Sequence, residues 1–209
     1  HELNNPLLGL LGHAEYLGGK LKPGEPGREE LDVILEEGRR MRKILEDLRG
    51  FVRPGGGIRS RVDLNDVAGE VLSLVRHEAD RVGVKSSLVP APEAALALAD
   101  ADQVRQAILN LVMNAIQAMP EGGTLTISTA AATQDGRRFA RATVEDSGCG
   151  IRNDLLPRVR EPFFSTKPGR MGLGLTICQE IAANHGGSLD IESRPGRGTT
   201  ATLALPAST

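Results

Sequence analysis

"DADQVRQAILNLVMNAIQAM", residues 100–119, carries two patterns on one helix. Val104, Ile108, Leu111, Val112, Ala115 and Met119 recur at the helical period and make a core-facing arc. Beside them Gln103, Gln106, Asn110, Asn114 and Gln117 fall within an arc of roughly 80°, at about 100° of turn per residue. A solvated helix face is usually charged, and five neutral amides are not. Amide oxygens can hold a hard cation and amide N–H groups can donate to phosphate oxygens without adding fixed charge, which suits an Mg-nucleotide site. An uncharged solvated stripe is the alternative reading.

On the C-terminal side, "VEDSGCGI" (144–151) places Asp146 at the end of a strand-like run, followed by Gly148 and Gly150. A carboxylate only accepts hydrogen bonds, so it can read an exocyclic amino group such as that of adenine, while glycines admit close approach of the backbone. An ordinary turn has the same pattern. "FFSTKPGRMGLGLTICQEI" (163–181) then sets Gly172 and Gly174 directly before a helical periodicity. A helix N-terminus opened by glycine offers free N–H groups and a positive dipole end to an anion. Lys167 and Arg170 stand ready to add charge, or are simply solvated loop cations, and Phe163 and Phe164 are expected to pin one end of the loop.

The remaining α/β pattern surrounds these pieces. A helix is expected from about Leu64 to Asp80, with strand-like runs at 82–89, 94–99, 123–129, 137–146, 188–193 and 199–206, and a further helix from about Gly174 to His185. Helices layered on one face of a mixed sheet follow from this order. The loop between Gly150 and Gly172 is too long for an ordinary connection and reads as a lid or a disordered segment.

Upstream the pattern changes. "HELNNPLLGLLGHAEYLGGKL" (1–21) carries Leu3, Leu7, Leu10, Ala14, Leu17 and Leu21 at alternating spacings of four and three, with His1 and Asn5 on the opposite side. "KPGEPG" (22–27) ends that helix, and Leu31, Ile34, Gly38, Met41, Leu45, Leu48 and Val52 mark a second. Two such helices form an antiparallel hairpin that buries too little alone, so two chains are expected to pair as a four-helix bundle. A hairpin packed on its own C-terminal domain is the alternative. Pro6 would bend the helix beside His1. "RPGGGIRSR" (53–61) reads as a flexible linker, giving domains 1–53 and 62–209 around a linker of 54–61.

Composition excludes several classes. The 209 residues are 40% hydrophobic and 25% charged, with net charge −2 from 25 basic and 27 acidic residues, which gives no nucleic-acid or anionic-membrane surface. Aromatics make up 2% with no tryptophan, too few for stacking on single strands. The two cysteines, Cys149 and Cys178, have no metal-like spacing. No run is long enough to span a bilayer and no signal peptide is evident, so a cytoplasmic fragment is expected. The helix opens in mid-pattern at His1, so the hairpin is expected to be truncated at its N-terminus, with a parent protein that could be membrane-anchored upstream.

In this order "HELNNPL", "NLVMNAIQAM", "DSGCG", "FFSTK" and "GLGL" resemble the H, N, G1, F and G2 boxes of bacterial sensor histidine kinases, over essentially the whole chain and most closely the nitrogen-regulation-like branch. The resemblance implies an α+β chain: a dimeric four-helix bundle of hairpins followed by an α/β sandwich of the Bergerat type, with a mixed sheet and three main helices. It implies ATP and Mg²⁺ as cofactors and, as partners, a second copy and a response-regulator receiver domain, with no nucleic acid and no membrane contact in this stretch. His1 would be the phosphoacceptor, Glu2 the general base and Asn5 the residue that orients water in regulator dephosphorylation. Asn114 would hold Mg²⁺, with Asn110 beside it, and Asp146 would bind adenine. Gly148, Gly150, Gly172 and Gly174 would shape the pocket and its lid, and Phe164, Thr166, Lys167, Leu173 and Leu175 belong to the same ATP-binding boxes. Many relatives carry a lysine three residues after the metal-binding asparagine, where this chain has Gln117. An ATP-driven clamp, to which His1 would be irrelevant, and a kinase-dead binding or phosphatase module are the rival readings.

Overall fold

The computed structural model describes residues 4–22, 24–52, 58–134, 136–166 and 171–208, and the backbone alone over 43–52. The chain divides into two compact units, residues 1–54 with 165–173 and residues 55–164 with 174–209. The first is built on α1 (Asn4–Gly18) and α2 (Arg28–Val52), packed antiparallel. Arg28 fixes the turn between them, donating from Nη1 to the carbonyls of Gly18 at 2.6 Å and Leu21 at 3.1 Å, the orphan acceptors at the end of α1.

The seam differs from the expected one. Leu7, Leu11 and Ala14 of α1 meet Leu31 and Leu35 of α2. Gly38 provides a hole for Leu11, whose Cδ2 would lie 2.6 Å from a Cβ at that position. Leu10 and Leu17, expected inside, are 68% and 51% exposed, and Ile34 and Met41 are 57% and 51% exposed. The sequence carries two overlapping apolar stripes on each helix, and one hairpin can bury only one of them. Pro6 lies near the start of the described part of α1. The bend expected before it, like Leu3 of the seam, falls on residues outside the described ones, as do the side chains of Leu45, Leu48 and Val52.

The second unit begins with β1 (Ser60–Asp63), whose first two residues were expected to close the linker. Only Val62 of this strand is buried, so no apolar alternation announces it. Asp63 caps α3 (Leu64–Arg81), accepting from Asn65 N at 2.9 Å. Then come β2 (Val84–Val89), β3 (Leu96–Ala99), α4 (Ala101–Gln117), β4 (Gly123–Gln134), β5 (Arg137–Asp146), α5 (Gly174–Asn184), β6 (Ser188–Ser193) and β7 (Thr199–Pro206). Strands β1 and β3 form an antiparallel pair, and the main sheet runs β2-β4-β5-β7-β6 with β2 and β4 parallel and the rest antiparallel. It is the mixed sheet with three helices expected from the sequence. β4 extends to Gln134, beyond the expected Thr129, because β5 pairs with it along its whole length.

Alternation places the core. Leu125 and Ile127 of β4, Ala140, Ala142 and Val144 of β5 and Leu203 and Leu205 of β7 are buried on one face, against Val71 of α3, Val104, Ile108 and Val112 of α4 and Ile177 of α5. Arg141 and Thr143 alternate onto the other face, half-buried. Cys178 in α5 is fully buried, and burial pushes its thiol up to about 12, whereas Cys149 is exposed. At pH 8 a disulfide reagent should therefore titrate Cys149 alone in the folded protein and both cysteines after denaturation; equal reaction rates in the folded state would contradict this packing of α5.

Candidate nucleotide-binding site

The site grows from the way α4 and α5 lie against each other. Asp100 caps α4, accepting from Asp102 N at 2.9 Å and Gln103 N at 3.2 Å. Along the helix pair, the Cys178 thiol donates to the Ala107 carbonyl at 3.4 Å and is also hydrogen-bonded by the Asn110 side chain. Farther on, a Cβ placed on Gly174 would lie 3.7 Å from Asn114 Nδ2. The helices are thus antiparallel, and the glycine-opened N-terminus of α5 sits beside the metal-ligand candidate of α4.

The amide stripe is half-buried at all five positions, and its members do different things. Gln103 is absorbed by the cap, donating to Asp100 Oδ2 at 3.3 Å. Asn110 reaches Cys178. Gln117 stands out: its Oε1 and Nε2 are both sequestered from solvent with no hydrogen-bond partner, an arrangement shared among the described residues only by Arg141 Nε. A buried amide without partners costs about 1–3 kcal/mol, so Gln117 carries an unmet polar demand. The sequence had shown Gln117 as one amide of the stripe and as a departure from lysine.

Asp146 ends β5 and is 7% exposed, its Oδ1 accepting from Gly148 N at 2.8 Å. The glycines after it serve the protein first. A Cβ at Gly148 would meet the Ala118 carbonyl oxygen at 2.6 Å, and at Gly150, with φ of 66°, the Arg194 carbonyl oxygen at 2.1 Å. Cys149 completes the clamp, its N–H donating to the Ala118 carbonyl at 3.1 Å and its carbonyl accepting from Gly196 N at 2.8 Å. The loop carrying the carboxylate is therefore stitched both to the end of α4 and to the β6–β7 turn.

The long loop is ordered into successive turns from Arg152 to Phe164. Thr176 Oγ1 donates to the Arg160 carbonyl at 3.4 Å, tying the first turn of α5 to it. Phe164 is half-buried under the Arg158 guanidinium, 4.4 Å from its ring centre, a contact within the loop itself. Phe163, expected to pin the loop with it, is 66% exposed with φ of 64°. Leu173 is buried, Gly172 and Leu175 are half-buried and Thr166 is exposed. Asn5 is exposed in the first turn of α1. His1, Glu2, Lys167 and Arg170 lie outside the described residues.

Two family models match the chain: His Kinase A (phospho-acceptor) domain over residues 1–57, and histidine kinase-, DNA gyrase B- and HSP90-like ATPase over residues 99–209. The sensor histidine kinase ZraS of Klebsiella oxytoca is 34% identical over 206 residues, covering 99% of this chain. The chain belongs to the sensor histidine kinases. Sporulation kinase D of Bacillus subtilis is 34% identical over 209 residues. The histidine kinase described here spans 44% of the first of these relatives and 40% of the second. Among solved structures, full-length ShkA in complex with AMPPNP is similar with a TM-score of 0.80 and 28% identity, covering 100% of this chain and 44% of that one. ThkA in complex with the response regulator protein TrrA gives 0.72 and 25%, covering 100% and 59%.

The residues present fit a metal–nucleotide complex. Among the described residues no cluster of three or more histidine, cysteine, aspartate or glutamate side chains could hold a metal alone. Magnesium, however, commonly takes one or two protein oxygens and completes its shell with phosphate and water. The unpartnered amide of Gln117, one helical turn beyond Asn114, suits such a ligand. Replacing Gln117 with Met should therefore leave the ligand-free kinase as stable or raise its stability by about 1 kcal/mol, while weakening its affinity for a magnesium–nucleotide complex. Thermal unfolding and titration of the same variant check both halves, and a variant that loses stability yet keeps affinity would contradict the assignment.

Proposed function

We propose that this histidine kinase autophosphorylates His1 with ATP and passes the phosphoryl group to an aspartate of a response regulator. The observation that carries the reading is the convergence of Asn114, the unpartnered Gln117 amide and the glycine-opened N-terminus of α5 at one end of the α4–α5 pair. A neutral imidazole nitrogen of His1 attacks the γ-phosphorus. The bond from that phosphorus to the bridging oxygen breaks, ADP departs, and Glu2 accepts or orients the proton on the other ring nitrogen. The carboxylate of the regulator then attacks the same phosphorus and releases the histidine. Phosphoryl transfer asks mainly for positioning and charge neutralisation, so the nucleotide and the acceptor can be held by different units of one chain.

Asp146 would accept a hydrogen bond from the adenine amino group, and its Oδ1 bond to Gly148 N holds the carboxylate oriented for that task. Asn114 would hold Mg²⁺, which neutralises phosphate charge when bound. The helix N-terminus at Gly174 would meet the phosphates, with Lys167 and Arg170 as further charge. The proline and glycine residues before β1 would serve as the linker between the ATP-binding unit and the hairpin, and Asn5 would orient water for dephosphorylation of the regulator. ShkA in complex with AMPPNP and ThkA in complex with TrrA support the two halves of this reading.

Dimerisation follows from the second stripe of the hairpin. Leu10 and Ile34 each precede a buried leucine by one position, an offset of about 100° round the helix. Because α1 and α2 are antiparallel, equal offsets bring both stripes to the same side of the hairpin. Leu10, Leu17, Ile34 and Met41 thus form one exposed apolar face, suited to the same face of a second copy as the core of a four-helix bundle.

A protein carried upstream of His1 and incubated with γ-labelled ATP and Mg²⁺ should acquire label that is lost in acid and kept in alkali. His1→Gln should abolish that label while sparing nucleotide affinity. Label retained in the variant would place the acceptor elsewhere, and steady ATP hydrolysis indifferent to the change would favour the clamp. Sedimentation should show a dimer that Ile34→Glu with Leu10→Glu dissociates; a persistent monomer of the unaltered chain would remove the bundle.

A further inference from the structure

His185, at the far end of α5 from Gly174, is a buried titratable group that the proposed chemistry does not use. Its ring spans two helices. Nε2 accepts from the backbone N–H of Asp100 at 3.0 Å, and Nδ1 lies 2.7 Å from the Ile181 carbonyl oxygen one turn back. A backbone amide can only donate, so Nε2 holds a lone pair and Nδ1 carries the hydrogen: the ring is neutral and in one tautomer. Asp100 is itself the cap of α4, with Oδ1 on Asp102 N and Gln103 N and Oδ2 on the Gln103 side chain. The Arg59 guanidinium donates to the Asn184 carbonyl at the same end of α5, and Ser60 pairs with Ala99 immediately before Asp100. One imidazole therefore joins the last turn of α5 to the first turn of α4.

We infer that His185 is a positioning residue for the nucleotide: it locks the register of α5 against α4, and so fixes where the N-terminus of α5 stands relative to Asn114 and Gln117. The inference rests on reading those residues as the nucleotide site. The two helices run in opposite directions and meet at His185 and Asp100, at Cys178 and Ala107 and at Gly174 and Asn114, so a shift of α5 along α4 at His185 also moves Gly174. The central tie is a thiol donor to the Ala107 carbonyl at 3.4 Å, a weak bond that cannot hold register by itself. A slip of one residue along a helix is about 1.5 Å, and a misplacement of about 1 Å at a reacting group is enough to cost roughly 100-fold in a positioned reaction. The coupling is reciprocal: if the lock favours the nucleotide, the nucleotide tightens the lock.

The test uses the full chain. Hydrogen exchange of the Asp100 amide is followed by NMR with and without Mg²⁺ and AMPPNP, and AMPPNP affinity is compared for the unaltered protein, His185→Gln and His185→Phe below their unfolding temperatures. Nucleotide should slow exchange at Asp100. Phenylalanine fills the space but accepts nothing, and should weaken affinity about ten-fold, whereas glutamine, which can accept from Asp100, should stay within about three-fold. A purely structural histidine would lower the unfolding temperature and leave the affinity of the folded protein unchanged. Unaltered protein that binds AMPPNP with no change in exchange at Asp100, or His185→Phe that binds as tightly as the original, overturns the proposal. If His185→Phe does not fold, the exchange measurement decides alone. Failure of the unaltered protein to bind AMPPNP would instead overturn the nucleotide reading of the site.

Discussion

Amides buried on a helix must find partners, and the layout of the ATP-binding unit follows from how α4 meets that demand. Gln103 is satisfied within its own cap and Asn110 by a thiol of the neighbouring helix. Gln117 has neither resource, and its amide is sequestered without a partner. Pairing α4 with α5 does most of this. It supplies Cys178, sets Gly174 beside Asn114, and covers the apolar arc of α4 together with the sheet. A helix carrying one polar and one apolar face needs both kinds of neighbour at once, and a sheet on one side with a glycine-opened helix on another is an economical solution.

The hairpin obeys a simpler constraint. Two helices can share only one seam, so apolar residues in excess of that seam are left for a second molecule. Leu11 seated in the hole at Gly38 favours this seam as the internal one, because a side chain at 38 would occupy the space that Leu11 fills. The stripe left outside is regular and rich in leucine, isoleucine and methionine, residues that pack adaptably and carry little discrimination between partners. The charged neighbours Glu15 and Arg39 pair across α1 and α2 at 3.3 Å.

Most of the fold was legible because its signals are periodic. The strands at 137–146, 188–193 and 199–206 match the expected limits, and α3, α4 and α5 match within a few residues. Where the reading departed, the sequence lacked the relevant signal. Strand β1 buries one residue and so shows no alternation. Spacings of three and four fit both stripes of the hairpin equally, and Leu11 and Leu35 were missed for that reason. In the site, residue types and order pointed to Asn114, Asp146 and the glycines, but not to the close approach of the Ala118 and Arg194 carbonyls, which by itself requires glycine at 148 and 150. The bond from Asp100 N to His185 was not legible at all, because it joins residues 85 positions apart.

The solitary amide of Gln117 has a consequence for the lifetime of the protein in a cell. A domain that retains an unmet polar demand in its empty form is held short of its attainable stability, and any ligand meeting that demand stabilises it in proportion to the logarithm of ligand concentration. The fraction of molecules open to proteases would then follow the supply of nucleotide.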